Sequence, residues 1–390
     1  MKILVLIFGF LAFACAATAD EIADPWSSVR AQGMGGAYTA VVNDADALFY
    51  NPAGLAGQTN FSWTILDPRA GLNGIENVQT LQNVISGDSS QMAANLQALM
   101  GKRVWIEAGA KSAITIPGFA MAAFVNSQAG MYVTNPANTT MRLNYFFDYG
   151  FAAGGGFELV PGFIKLGLAA KRMNRTGTSL PISAATLASL DMDALQSELK
   201  RRGTGYGADL GLNFSFPGPI SPTLSVVYRN AGVTTFTHEE GIGAPPSIEP
   251  ELVFGGAMKI SGGLIDITPA FDFRYANRND IEIGKKIHVG VEVDLPAIDL
   301  RAGLNQGYYT AGVGLDMGLL RIDASTYGVE LGVYPGQLED RRYIAQVTFD
   351  IGFDPGKFGF GSSSSSASGG ASGAASGQGD SPRRRLKQRR

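Results

Sequence analysis

The stretch Arg30 to Gly57, RAQGMGGAYTAVVNDADALFYNPAGLAG, decides how the rest of the chain is read. Gly33, Gly35, Gly36 and Gly54, with the Asn51-Pro52 step, allow tight packing and a sharp reversal of the backbone. Between them Ala37 to Tyr50 is weakly helical and is broken by Asn43, Asp44 and Asp46. The segment is compact, rich in glycine and placed directly before a long series of strand-like segments. It reads as a plug, with the strands as the barrel that it fills.

Working outward, residues 1–19 read as a secretory signal peptide: Lys2, an apolar run from Ile3 to Ala14, and the small-residue site Ala17-Thr18-Ala19. The run is too short to span a bilayer as a helix. Cys15 is the one cysteine; a lipoprotein reading of it is disfavoured by Phe13. Its removal with the signal leaves no thiol for disulfide or thiolate chemistry. No later run reaches the roughly 18 apolar residues of a membrane helix. Export without a helical anchor leaves a periplasmic protein, a secreted protein or an outer-membrane barrel.

The strand pattern selects the barrel. Phe61, Trp63 and Ile65 share one parity, with Ser62 and Thr64 between them. Ile287, Val289, Val291, Val293 and Leu295 alternate with Lys286, His288, Gly290, Glu292 and Asp294, and Ile265, Ile267, Phe271, Phe273 and Tyr275 with Asp266, Thr268, Asp272 and Arg274. Such a period of two gives each strand an apolar and a polar face, as in a barrel with lipid outside and a polar lumen. Short turns (Pro117-Gly118, residues 160–162, 217–220, 261–263, 295–297 and 317–318) also alternate with a second set that is mostly longer, 67–102, 127–141, 173–204, 231–250, 276–284, 306–307 and 335–340. The expectation is an all-β, transmembrane antiparallel barrel of about 14 strands. It has a hatch over residues 20–58, barrel over 59–353, helical outer loops and both termini on the periplasmic side. Twelve strands is the alternative if the Asn60 or Val104 segment is not a membrane strand.

Two outer loops carry apolar residues near helical spacing: Leu81, Val84 and Leu96 in the first, and Leu187, Leu190, Leu195 and Leu199 in the third. They read either as helices packed on the rim or as a groove for a hydrophobic ligand. The last strand, Tyr343 to Phe353, ends on an aromatic residue, a signal for the barrel assembly machinery. It is followed by a Ser/Gly/Ala-rich tail, 354–390, that ends in PRRRLKQRR. Such a composition is expected to be disordered. Its basic end suits an anionic periplasmic partner; in that compartment no nucleic acid is expected.

The opening stretch resembles the start of the long-chain fatty acid transporter (FadL) superfamily of outer-membrane barrels, including its PorV-like relatives. The resemblance rests on Arg30-Ala31-Gln32-Gly33-Met34-Gly35-Gly36-Ala37, on Asn43-Asp44 and Asp46-Ala47, and on Asn51-Pro52-Ala53-Gly54-Leu55-Ala56. It implies a fourteen-stranded barrel with a hatch inside. The FadL branch passes hydrophobic molecules inward, whereas PorV-like members serve protein secretion and surface attachment. The basic tail matches neither branch.

Catalytic patterns are thin. His238-Glu239-Glu240 lacks the second histidine of a zinc helix motif, and no nucleophile-elbow serine is present. Gly203 to Gly207 reads as strand rather than as a phosphate loop. No enzyme, cofactor or metal is expected. The mixed inward charges, among them Glu107, Lys111, Lys171, Arg229, Asp272, Arg274, Glu292 and Arg301, read as ion pairs bracing the plug or as an aqueous path. The expectation is uptake of small hydrophobic molecules such as long-chain fatty acids, surrounded by outer-membrane lipid. Gly33, Gly35, Gly36, Asn51, Pro52, Ala53 and Gly54 then form the gate. The alternative is a PorV-like scaffold for secretion or envelope assembly.

Overall fold

The computed structural model describes residues 24–74, 77, 101–134, 140–183, 192–354 and 357–361. In chain order the strands are β1 (Phe61–Leu66), β2 (Arg69–Asn73), β3 (Arg103–Ile116), β4 (Phe119–Thr134), β5 (Thr140–Val160) and β6 (Ile164–Ser183). Then come β7 (Arg202–Ser215), β8 (Pro222–Arg229), β9 (Glu251–Met258), β10 (Ile260–Ser261), β11 (Asp266–Phe273) and β12 (Ile287–Asp294). The last are β13 (Ile298–Asn305), β14 (Tyr308–Asp316), β15 (Leu320–Glu330), β16 (Glu339–Asp354) and β17 (Lys357–Gly361).

All neighbours pair antiparallel, and the sheet closes where β16 pairs with β1 and β2, through Ser62↔Gly352 and Leu72↔Tyr343. β1 with β2 is one crossing interrupted at Asp67-Pro68, β9 with β10 is another, and β17 only edges the end of β16. The seventeen strand segments therefore make fourteen crossings. The Asn60 and Val104 segments are both true crossings. No described helix is long and apolar enough to cross a membrane, and the chain crosses with strands. Closure leaves no unpaired strand edge in the ring, the condition for placing backbone amides in hydrocarbon.

The alternation read in the sequence is the alternation of the wall. Leu168, Leu210, Leu224, Val289, Leu300 and Val313 are exposed on the outer face, while Asp209, Asp272, His288, Glu292 and Arg301 are buried on the inner one. Exposed aromatic rings mark both edges of this apolar belt. Trp63, Phe157, Phe216 and Phe349 stand near the short-turn end, and Tyr149, Tyr206, Tyr309 and Tyr343 toward the long-loop end. Such girdles are the mark of a bilayer-spanning barrel.

The structure departs from the sequence expectations in several places. β4, β5 and β6 run for 16, 21 and 20 residues, whereas β8, β9 and β11 have 8 each. Residues 127–134 and 173–183, expected in loops, are therefore tall wall. The upper outer face carries an apolar cluster of Met131, Val133, Met141 and Ile182, with Leu143 and Leu180 beside it. Tyr275, expected to face outward, has φ +53° and is buried beside Arg274, because the left-handed turn ends the strand there. Part of the tail expected from 354 is strand β17. The signal peptide, most of the first long loop and the basic end of the tail lie outside the described residues.

Lipid-facing substitutions test the placement of the belt. Leu168→Arg, at its middle, should cost about 2–4 kcal/mol in vesicle-embedded protein unfolded with denaturant. Leu159→Arg, at its edge, should cost about 1 kcal/mol or less. Equal costs would misplace the membrane.

Candidate functional site

Residues 24–58 run through the lumen from one mouth to the other. Asp24 lines a cavity of about 260 Å³ at the long-loop mouth. Gln58 lines a second, of about 150 Å³, at the short-turn mouth. Both termini were expected on the short-turn side; residues 1–23 and 362–390 lie outside the described residues. Between the cavities sit helix α1 (Val29–Gly33), helix α2 (Ala47–Tyr50) and the 3-10 turn Pro52–Gly57. Trp26, Met34, Tyr38, Leu48, Phe49 and Leu55 form their core, closed against the wall by Phe124, Ala152 and Met173.

The residues expected at the gate are the two points where hatch backbone meets wall backbone. Gly35 and Gly36 have φ of +66° and +81°. A Cβ on Gly35 would lie 2.5 Å from Val289 O, and one on Gly36 2.9 Å from His288 Nδ1. This turn lies in a furrow of wall glycines: Gly290 and Gly303 are direct partners on β12 and β13, and Gly312 of β14 faces Gly33. The second contact is on the other side of the ring. Gly156, Gly167 and Gly211 are successive cross-strand partners on β5, β6 and β7. Any side chain there would overlap Asn51, Pro52, Ala53 or Ala56. Gly54 packs on the Val42 carbonyl inside the hatch instead.

Polar contacts complete the seat. Arg30 grips Glu292 with two bonds of 2.8 and 2.5 Å, and Arg301 donates to the same carboxylate at 2.6 Å. The amides of Tyr38 and Thr39 donate to Asp272 Oδ2 at 3.0 and 2.9 Å. Asn51 donates to Asn213 Oδ1 at 2.6 Å. His288 Nδ1 donates to the Gly35 carbonyl at 2.9 Å, and Thr310 to that of Gly33 at 2.9 Å. Asp46 pairs with Lys111 and accepts from Trp26 Nε1 at 3.1 Å, and the Arg69 guanidinium lies 3.9 Å over the Trp26 ring. Burial alone would raise the Asp46 carboxyl, but Lys111, with bonds from Lys111, Ser28 and Trp26, holds it below its usual value. At the other mouth Asp24 accepts from Arg274 at 2.9 Å and lies 3.8 Å from Arg229. Burial again pushes its carboxyl up and the two guanidiniums bring it below the ordinary value.

Sequence reasoning missed a second inward element. The long connection 231–250 folds into the barrel, where Phe236 and Ile248 join the hatch core. A Cβ on Gly205 would fall 2.9 Å from the Phe236 ring, and one on Gly203 would overlap the Thr237 carbonyl. Arg175, paired with Asp148 by two bonds of 2.8 Å, lies over the rings of Phe146 and Phe236. The inward glycines of β7 were the available signal.

Of the residues expected to form a ligand groove, Leu81, Val84, Leu96, Leu187 and Leu190 lie outside the described residues. Leu195 is on helix α3 (Met192–Leu199) and packs on the apolar cluster of the tall wall. That cluster shares the parity of the lipid-facing Tyr149 and Phe151, so Leu195 turns away from the lumen. Leu199 is half-buried and lines neither cavity. His238 Nε2 contacts the Gly241 carbonyl at 3.0 Å in the same inward connection.

No protein-family model matches the sequence, and no curated protein does. Solved structures do. The CymD monoaromatic hydrocarbon channel is 13% identical, with 83% of this chain and 96% of that one covered and a TM-score of 0.48. The Ralstonia pickettii toluene transporter TbuX is 12% identical, with 85% and 99% covered and a TM-score of 0.46. A Pseudomonas aeruginosa FadL homologue is 12% identical, with 83% and 97% covered and a TM-score of 0.30.

The furrow contacts are tested by Gly167→Val. The barrel should still assemble, with residues 51–57 losing protection from hydrogen exchange. Gly256→Val, with only Leu224 3.6 Å away, should leave that protection unchanged. The ion pairs have a defined pH range. Because the folded pKa values of Asp24 and Asp46 lie below the ordinary 3.8, their contribution is complete above about that pH and is lost as the pH falls further. Hatch proteolysis should therefore be flat from pH 8 to about pH 5 and accelerate only under stronger acid.

Proposed function

We propose that this protein is an outer-membrane channel for uptake of small hydrophobic molecules, and that the hatch is its gate. The observation that carries the reading is the division of the lumen into two cavities by residues 24–58. The hatch is held to the wall by hydrogen bonds, ion pairs and close backbone contact, so its displacement breaks no covalent bond. The two furrows set where it yields: the Gly33–Gly36 turn on β12 to β14, and the Asn51–Gly54 turn on β5 to β7. The resemblance of Arg30 to Ala56 to the FadL superfamily supports the same class of cargo. The same reading puts the barrel in the outer membrane of a Gram-negative-type bacterium, and the apolar belt supports a membrane-spanning wall.

A reversible lock tests the gate. A Cβ on Gly255 would sit 3.1 Å from Thr39 Cβ, inside the roughly 3.5–4.5 Å of a disulfide, so the bridge closes once the two backbones part by a few tenths of an ångström. Cells carrying Thr39→Cys with Gly255→Cys should take up radiolabelled toluene only after reduction, while each single variant takes it up under both conditions. Uptake that persists in the oxidised double variant would remove the hatch from the path.

A further inference from the structure

Just behind the Asp24, Glu251 and Tyr275 lining of the long-loop cavity, two guanidiniums converge on two carboxylates. Arg229, at the end of β8, and Arg274, just past β11, both bond to Glu251, at the start of β9; the Arg274 bonds are 2.8 and 3.3 Å. Those three residues belong to the wall. The fourth charge, Asp24, comes from the N-terminal arm of the hatch and faces the cavity. Its side chain is 25% exposed, against 3% for Glu251, so of the two carboxylates Asp24 is the one that can leave. Arg229 Nε is buried with no hydrogen-bond partner. Arg274 Nη2 is shared among Asp24, Glu251 and the Tyr275 hydroxyl. Without Asp24, this wall cluster alone carries one uncompensated positive charge beside a chamber whose apolar lining includes Phe146, Ile248, Ile281 and Val333.

We propose that this is a carboxylate site masked by the hatch's own Asp24. A small organic anion, one carboxylate on a compact apolar body, binds Arg274 and Arg229 in place of Asp24 and so releases the arm. The exchange is one carboxylate for another, so no buried charge is left unpaired. A neutral hydrocarbon of the same shape cannot make it. Release reaches the hatch core through Arg229, which also donates to the Phe49 carbonyl of α2 at 3.3 Å. The cavity of about 260 Å³ favours a single ring or short chain over a long acyl chain. This site names a cargo class for the uptake reading and rests on that reading only for the steps after capture.

The test uses the full chain, folded in detergent, with benzoate and toluene as matched probes. Removing the internal competitor raises the fraction of open sites, so Asp24→Asn should bind benzoate about tenfold more tightly than wild type, with toluene binding unchanged. Arg274→Gln should lose benzoate binding. A second readout needs no variant: saturating benzoate, and not toluene, should speed hydrogen exchange at residues 24–28 of the wild type. Equal benzoate affinity in wild type and Asp24→Asn, an equal gain for toluene, or unchanged exchange would overturn the site. Toluene uptake that survives such a result would leave the channel standing without it, whereas benzoate binding with no uptake would keep the site and remove the channel.

Discussion

Everything inside this barrel depends on how closely the hatch backbone approaches the wall backbone. At two places across the ring from each other, three successive strands present glycine to the lumen, and the Gly33–Gly36 and Asn51–Gly54 turns lie against them. With a side chain at any of these wall positions the gap would have to widen by about the width of a methyl group, and interiors packed at this density do not absorb such a change locally. The polar contacts of Arg30, Asp46 and Asn51 form at their short distances because the furrows bring the backbone close enough.

Charge follows from the same closeness. A buried carboxylate in the lumen needs a partner, and the wall and the hatch both supply it: backbone amides at Asp272, guanidinium or ammonium groups at Glu292 and Asp46. Arg30 of the hatch and Arg301 of the wall share Glu292, and Lys111 of the wall takes both Asp46 and, at 3.3 Å, Asp67. Buried pairs of this kind add little net stability over apolar packing but penalise a misplaced partner strongly. They fix the register of the hatch in the ring more than they strengthen it.

Much of the architecture could be read from the sequence, for physical reasons. Alternation with a period of two is a local signal, so the strands, their inward charges and the short turns were legible one segment at a time. So was the hatch, because Gly35, Gly36 and Asn51-Pro52 demand unusual backbone wherever they sit. The partners were not legible. Gly303 meets Met34 and Gly35, and Gly211 meets Asn51, across well over a hundred residues, and nothing near either glycine records this. The descent of residues 231–250 into the lumen was hidden likewise, although Gly203 and Gly205 had left room for it. The upper wall at Met131 and Met141 was misread because its alternation continues past the belt, where the outer face is covered by the chain's own Leu195 instead of lipid.

The path of the hatch also ties the plug to the seam. The chain passes from Asp24 at one mouth to Gln58 at the other and only then enters β1, whose partner across the closing seam is β16. Plug and seam are thus neighbours in the chain, and a pull on the hatch from the long-loop side is carried through Gln58 to the strand that holds the cylinder shut.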